Sequence, residues 1–167
     1  MLINKKTKIF FVFFQFLLWL GVPAHSKDSN PLEEMIKACE SGNADACIVM
    51  GTLYHQGRGV KQDPLKELYF YEQACNHNHA IGCDYVGVLY ELGKGVEPDA
   101  HKAFLLYEKS CDLGGAAGCY DLAGMYDQGR GGVAQDPVKA QDLFTKAQKL
   151  GAQVQTAPES GTGLDKH

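Results

Sequence analysis

The stretch that decides the fold is CNHNHAIGCDYVGVLYELGKGVEPD, residues 75–99. It opens on Cys75 and Cys83, runs through an apolar segment holding Gly87, Leu89 and Tyr90, turns at Gly93-Lys94-Gly95-Val96 and ends on Asp99. The same order of features occurs once before it and once after it. The cysteines stand at Cys39, Cys47, Cys75, Cys83, Cys111 and Cys119, so intervals of 8 and 28 alternate with a period of 36. Met50-Gly51-Thr52-Leu53-Tyr54 and Leu122-Ala123-Gly124-Met125-Tyr126 echo Val86-Gly87-Val88-Leu89-Tyr90. The turn recurs as Gly57-Arg58-Gly59-Val60 and, with one extra glycine, as Gly129-Arg130-Gly131-Gly132-Val133.

Each period reads as two helices. From Cys47 to Gln56 and from Ala103 to Ser110 the apolar residues fall three or four apart, which places them on one helical face. The glycine-rich pieces between such runs cannot propagate a helix and supply turns. Asp63-Pro64 and Asp136-Pro137 match an aspartate N-cap with proline in the first helical position. The middle copy has Pro98 before Asp99 and Ala100 after it, so its second helix is expected to start slightly differently. Gly51 and Gly87 sit inside helical patterns, with Ala123 at the same phase. Small residues there point to close helix–helix approach. A two-helix unit cannot bury its apolar stripe alone, so the units must stack into an all-α solenoid. The units read as residues 46–81, 82–117 and 118–152, with residues 31–45 supplying an N-terminal helix that seals the first end. Residues 153–167, with Pro158, Gly161 and Gly163, read as a flexible tail.

Residues 1–26 have a different character. Lys5, Lys6 and Lys8 precede an apolar run from Ile9 to Val22, followed by Ala24-His25-Ser26. This is the layout of a secretory signal peptide, with cleavage expected before Lys27 and no membrane attachment afterwards. Its removal takes three lysines and no acid, which moves the formal net charge from −4 to −7. Such a chain has no basic cluster to neutralise phosphates, which argues against nucleic-acid binding. It also removes five of the eight phenylalanines, so the core must rely on Leu, Tyr, Ala, Val and Cys. The six cysteines remain, and an even number in an exported chain suggests disulfides and a secreted or periplasmic location. Of the 15 connectivities open to six cysteines, only Cys39–Cys47, Cys75–Cys83 and Cys111–Cys119 treat every unit alike. Zinc is a poor competitor, because C-x7-C lacks the short ligand spacing and histidine does not recur by unit.

The Gly-x-Gly-Val-x-x-Asp motif joined to C-x7-C resembles the Sel1-like repeat family, and within it the exported cysteine-rich group described from Helicobacter. The likeness spans about residues 31–152 and is imperfect in the third copy, where Gly132 is extra, Ala123 replaces glycine and Gln148 occupies a cysteine position. The resemblance implies an α/α superhelix related to tetratricopeptide arrays, with disulfides between neighbouring helices. It also implies a link to penicillin-binding or weakly β-lactam-hydrolysing proteins.

The residues themselves support no catalytic site. There is no S-x-x-K, S-D-N or K-T-G, and Ser110 shares its phase with Ala74 and Ala147, so it is expected to be a packed small residue. His77 and His79 lie in the turn between Cys75 and Cys83 and read as a solvated loop rather than a metal site. Glu72, Glu108 and Asp112 read as helix-surface charges. No metal or cofactor is expected. Binding asks less of the chain. In stacked helix pairs the first helices line the concave face, and specificity sits where the copies differ. Those places are Ile48/Asp84/Tyr120, Val49/Tyr85/Asp121, His55/Glu91/Asp127 and Gln56/Leu92/Gln128. Tyr85, Tyr120, His55, Glu91, Asp127, Asp84 and Asp121 therefore form the candidate groove, aromatic and acidic, for a peptide, a protein or a peptidoglycan fragment. Tyr54, Tyr90 and Tyr126 recur at one phase and are assigned to packing, and the protein is expected to act as a monomer.

Overall fold

The computed structural model describes residues 30–156, with side chains described as far as residue 151. Residues 1–26, read above as a signal peptide, and the tail beyond 156 lie outside the described residues. Among the described residues seven helices follow one another: α1 Pro31–Glu40, α2 Ala44–Gln56, α3 Pro64–Asn76, α4 Ala80–Leu92, α5 Ala100–Asp112, α6 Ala116–Gln128 and α7 Pro137–Thr156. Each packs on its successor; in addition α4 touches α6, and α1 touches α3. The result is an antiparallel double layer, with α2, α4 and α6 as the first helices of three units and α1, α3, α5 and α7 behind them. The first helices begin two residues before the unit boundaries read from the sequence, and α7 continues to Thr156, into the stretch read as tail.

Local chemistry sets the helix ends. The Asp63 carboxylate accepts from the backbone N–H groups of Leu65 and Lys66, Asp99 from that of Lys102, and Asp136 from that of Lys139. These bonds satisfy donors that the first turn of a helix leaves without partners. The start of α5 corrects an expectation: it begins directly after its aspartate, as α3 and α7 do. The aspartate side chain, rather than the proline, therefore sets the boundary. At the other end of each first helix, Gly57, Gly93 and Gly129 take φ of 69°, 66° and 63°. Their N–H groups bond to the carbonyls of Leu53, Leu89 and Met125, a left-handed termination that glycine adopts without strain.

The second kind of turn joins one unit to the next and is only three residues long, as in His77-Asn78-His79. Asn78 donates its N–H to the Cys75 carbonyl and His79 to that of Ala74; Gly114 and Gly115 repeat the pattern on Cys111 and Ser110. Across each such turn runs a disulfide: Cys39–Cys47, Cys75–Cys83 and Cys111–Cys119, with Cα separations of 4.7, 4.5 and 4.4 Å. All six cysteines are buried, so the bridges belong to the core as well as to the turn.

Within a unit, one aromatic ring sets the distance between the layers. A Cβ built on Gly51 would lie 2.5 Å from the Tyr71 ring, and one on Gly87 would lie 2.7 Å from the Tyr107 ring. Tyr71 and Tyr107 are 3% and 1% exposed, so neither ring has free space to retreat into. The glycines are thus required for ring access, at a cost of about 1 kcal/mol each in helix propensity relative to alanine. Tyr54, Tyr90 and Tyr126 close the turn ends of the first helices. The ammonium groups of Lys66, Lys102 and Lys139 lie 5.1, 4.5 and 4.2 Å from their ring centres.

Gly87→Ala separates these two effects. Propensity alone would stabilise the helix by about 1 kcal/mol, whereas overpacking against Tyr107 costs about 1–3 kcal/mol. We expect a net loss, seen as a lower urea midpoint of the oxidised protein; a raised midpoint would show that the ring approach is not tight.

Candidate binding groove

The seven residues proposed for the groove all come from α2, α4 and α6, and the structure sorts them into four places. His55, Asp84 and Tyr85 line a cavity of 330 Å³ between α2 and α4, together with Glu67, Tyr71 and Lys94. Glu91 and Asp121 lie where α4 and α6 meet. Tyr120, next to Asp121 on α6, is 61% exposed, with its ring edge-on to Phe144 of α7 at 5.0 Å. Asp127 is exposed, and its backbone carbonyl accepts from the Gln135 side chain at 2.7 Å.

The cavity walls are built by a chain of contacts. The Thr52 hydroxyl donates its proton to the Ile48 carbonyl at 2.8 Å, so the Tyr71 hydroxyl, 3.3 Å away, is the donor to Thr52. The Tyr71 ring packs on that of Tyr85 with centres 4.6 Å apart. Burial pushes the Tyr71 hydroxyl above its usual ionisation range. Glu67, buried at 6% exposure, bonds through Oε1 to Nδ1 of His55 at 2.8 Å. The same phase holds Ala103 and Ala140 in the other units, so this pair is particular to the first cavity.

At the next junction the electrostatics differ. The Tyr107 hydroxyl donates to Glu91 Oε2 at 2.7 Å, and Arg130, from the turn after α6, bonds to Oε1. Burial alone would raise the Glu91 carboxyl, but the Tyr107 hydroxyl and the Arg130 guanidinium outweigh it and hold Glu91 below its usual range. Burial, with the adjacent Glu91 charge, pushes the Tyr107 hydroxyl far upward. Asp84 has no such cation. Burial first, and then the neighbouring Asp121, push its carboxyl up to about 7. Asp121 is also raised, by burial and by Glu91, with Arg130 opposing. Lys94 stands at the phase of Arg130 but meets His55 where Arg130 meets Glu91, and it forms no ion pair among the described residues.

Two repeating helices, the glycine turns and the bridged three-residue links together define a known architecture. The Sel1 repeat model matches residues 44–79, 80–115 and 116–151. The chain belongs to the Sel1 repeat family. A Sel1 repeat protein from Oxalobacter formigenes shares 26% identity with a TM-score of 0.66, over 72% of this chain and 47% of that one. The protective antigen c5321 of uropathogenic Escherichia coli shares 28% identity with a TM-score of 0.65, over 70% of this chain and 25% of that one. Helicobacter pylori cysteine rich protein B shares 29% identity with a TM-score of 0.56, over 74% of this chain and 92% of that one. This Sel1 repeat protein thus spans about half the length of the first of these and a quarter of the second. No curated protein matches its sequence.

Other side chains find structural roles in this Sel1 repeat protein. Ser110 is fully buried and donates to the Ala80 carbonyl at 2.8 Å, filling the space that Gly118 leaves. His79 corrects an expectation. Its Nε2 bonds to Asp45 at 3.1 Å and its side chain is only 24% exposed, so it ties the inter-unit turn to the preceding first helix rather than standing in solvent. Among the described residues no group of three or more His, Cys, Asp or Glu is arranged to hold a metal ion. No described helix is long and apolar enough to cross a membrane. Glu67, Tyr107 and Arg130 join the site without having been singled out. For Glu67 a signal existed, a lone acid at a phase otherwise filled by alanine; Arg130 was hidden by its place in a recurrent turn.

The Asp84 carboxyl makes stability depend on pH. Its folded form holds a proton up to about pH 7, whereas the unfolded chain releases it near pH 3.8. The folded state therefore binds more protons in this window, and stability falls as pH rises through it. The unfolding free energy should drop by about 2 kcal/mol or more from about pH 5 to about pH 8. Asp84→Asn should flatten that slope in urea titrations, and an unchanged slope would remove Asp84 as its source.

Proposed function

We propose that this protein is an exported, monomeric scaffold whose layer of first helices binds an extended peptide or a peptide segment of a partner protein. The observation that carries the reading is the exposure, on one layer, of Tyr85 at 41% and Tyr120 at 61% beside the carboxylates of Asp84, Asp121 and Glu91. Aromatic side chains with a polar rim are what protein recognition sites use most. Tyr85 and Tyr120 each pack one side on a neighbouring ring and leave much of the other exposed, whereas Tyr71 and Tyr107 at the layer interface are almost wholly buried.

Export is supported by the three bridges, because disulfides persist in oxidising compartments and are rare in reducing ones. The charged and apolar pattern of residues 1–26 points the same way. A peptidoglycan fragment, whose stem is itself a peptide, is a ligand of the same kind.

The test is capture by immobilised oxidised protein from an envelope extract of the native host, beside the Tyr85→Ser/Tyr120→Ser variant. A partner retained by the native protein and lost by the variant, with helical circular dichroism unchanged, is the expected result. Equal retention by both, or retention by neither, would overturn the reading.

A further inference from the structure

The cavity between α2 and α4 contains an acceptor that the protein itself does not satisfy. Asp84 is 7% exposed, and its Oδ1 is buried with no hydrogen-bond partner. The other acid of the cavity, Glu67, is bonded to His55. Lys94, at the cavity edge, forms no ion pair with either acid. Without a cation the buried Asp84 carboxyl keeps its proton rather than its charge, and packing does not require an acid here. The same backbone position holds Ile48 in the preceding unit and Tyr120 in the following one.

Resting on the peptide-binding reading above, we propose that this cavity receives the cationic end of a lysine or arginine side chain of the bound peptide, with Asp84 as counter-ion and the Tyr71–Tyr85 ring pair as its wall. The volume of 330 Å³ suits the end of one long side chain rather than a folded element. The exposed Tyr85 ring, backed by that of Tyr71 with centres 4.6 Å apart, offers a π face that attracts an ammonium or guanidinium group once it is shielded from water. The Asp84 carboxyl shares a hydrogen bond with that of Asp121 at the α4–α6 junction, and a cation beside Asp84 is drawn by both. Glu91 cannot take this role, because Arg130 and Tyr107 already occupy its two oxygens.

Random dodecapeptides displayed on phage, selected on the oxidised protein, provide the test. Selected peptides should share one basic residue. Its replacement by norleucine should weaken binding roughly tenfold or more, and the same replacement should hardly matter to Asp84→Asn. Acetylation of a selected lysine on the native protein gives a second reading that needs no folded variant, and it should weaken binding to a similar degree. Peptides that bind through Tyr85 and Tyr120 without any basic residue would overturn the cation pocket and leave the groove standing. A norleucine penalty equally large in Asp84→Asn would remove Asp84 from it. Failure to select any peptide would overturn the groove and the pocket together.

Discussion

A covalent bond across a three-residue turn constrains everything else in this fold. Each disulfide joins the last turn of one unit's second helix to the first turn of the next unit's first helix, with Cα atoms within 4.7 Å. The backbone in these turns is already bonded, residue for residue, in the same way at Gly42, Asn78 and Gly114. Stacking of repeats normally depends on apolar area alone. Here the described helices carry only three phenylalanines, Phe70, Phe104 and Phe144, and the core relies instead on Tyr, Leu, Met, Val, Ala and the bridged cysteines. A ring of nine residues closed in the unfolded chain contributes about 2.5 kcal/mol on the chain-entropy account. Three such rings are comparable with the whole net stability of a small domain.

With the stacking angle fixed, the remaining freedom lies between the layers, and the rings of Tyr71 and Tyr107 take it up. They reach across to Gly51 and Gly87, and their hydroxyls bond to Thr52 and Glu91 on the first helices. The same side chains thus belong to the core and to the candidate site. This links fold to function: a change that moved either ring would disturb packing and the cavity wall together.

The repeat, the helix pairs and the pairing of cysteines were legible in the sequence because each is enforced three times at one phase. A position that recurs, such as Asp63, Asp99 and Asp136, announces its role as a cap. Features that belong to one unit were legible only as differences. Asp84 stood out beside Ile48 and Tyr120, yet its burial depends on α6 folding over α4, which no local pattern encodes. Arg130 looked like a turn residue because Arg58 and Lys94 share its phase; only the three-dimensional fold shows that it reaches Glu91, 39 positions away. His79 looked solvated because its partner, Asp45, is 34 positions away in the preceding first helix. Long-range polar contacts of this kind depend on unit geometry, and single-sequence periodicity carries no information about them.

The central claim is that crosslinks between successive units, more than apolar burial, hold the solenoid together. Urea unfolding of the oxidised protein beside protein reduced and alkylated at all six cysteines tests it most directly. Loss of about 5 kcal/mol or more of unfolding free energy, or loss of the cooperative transition altogether, is the result expected. Coincident unfolding curves for the two forms would contradict it.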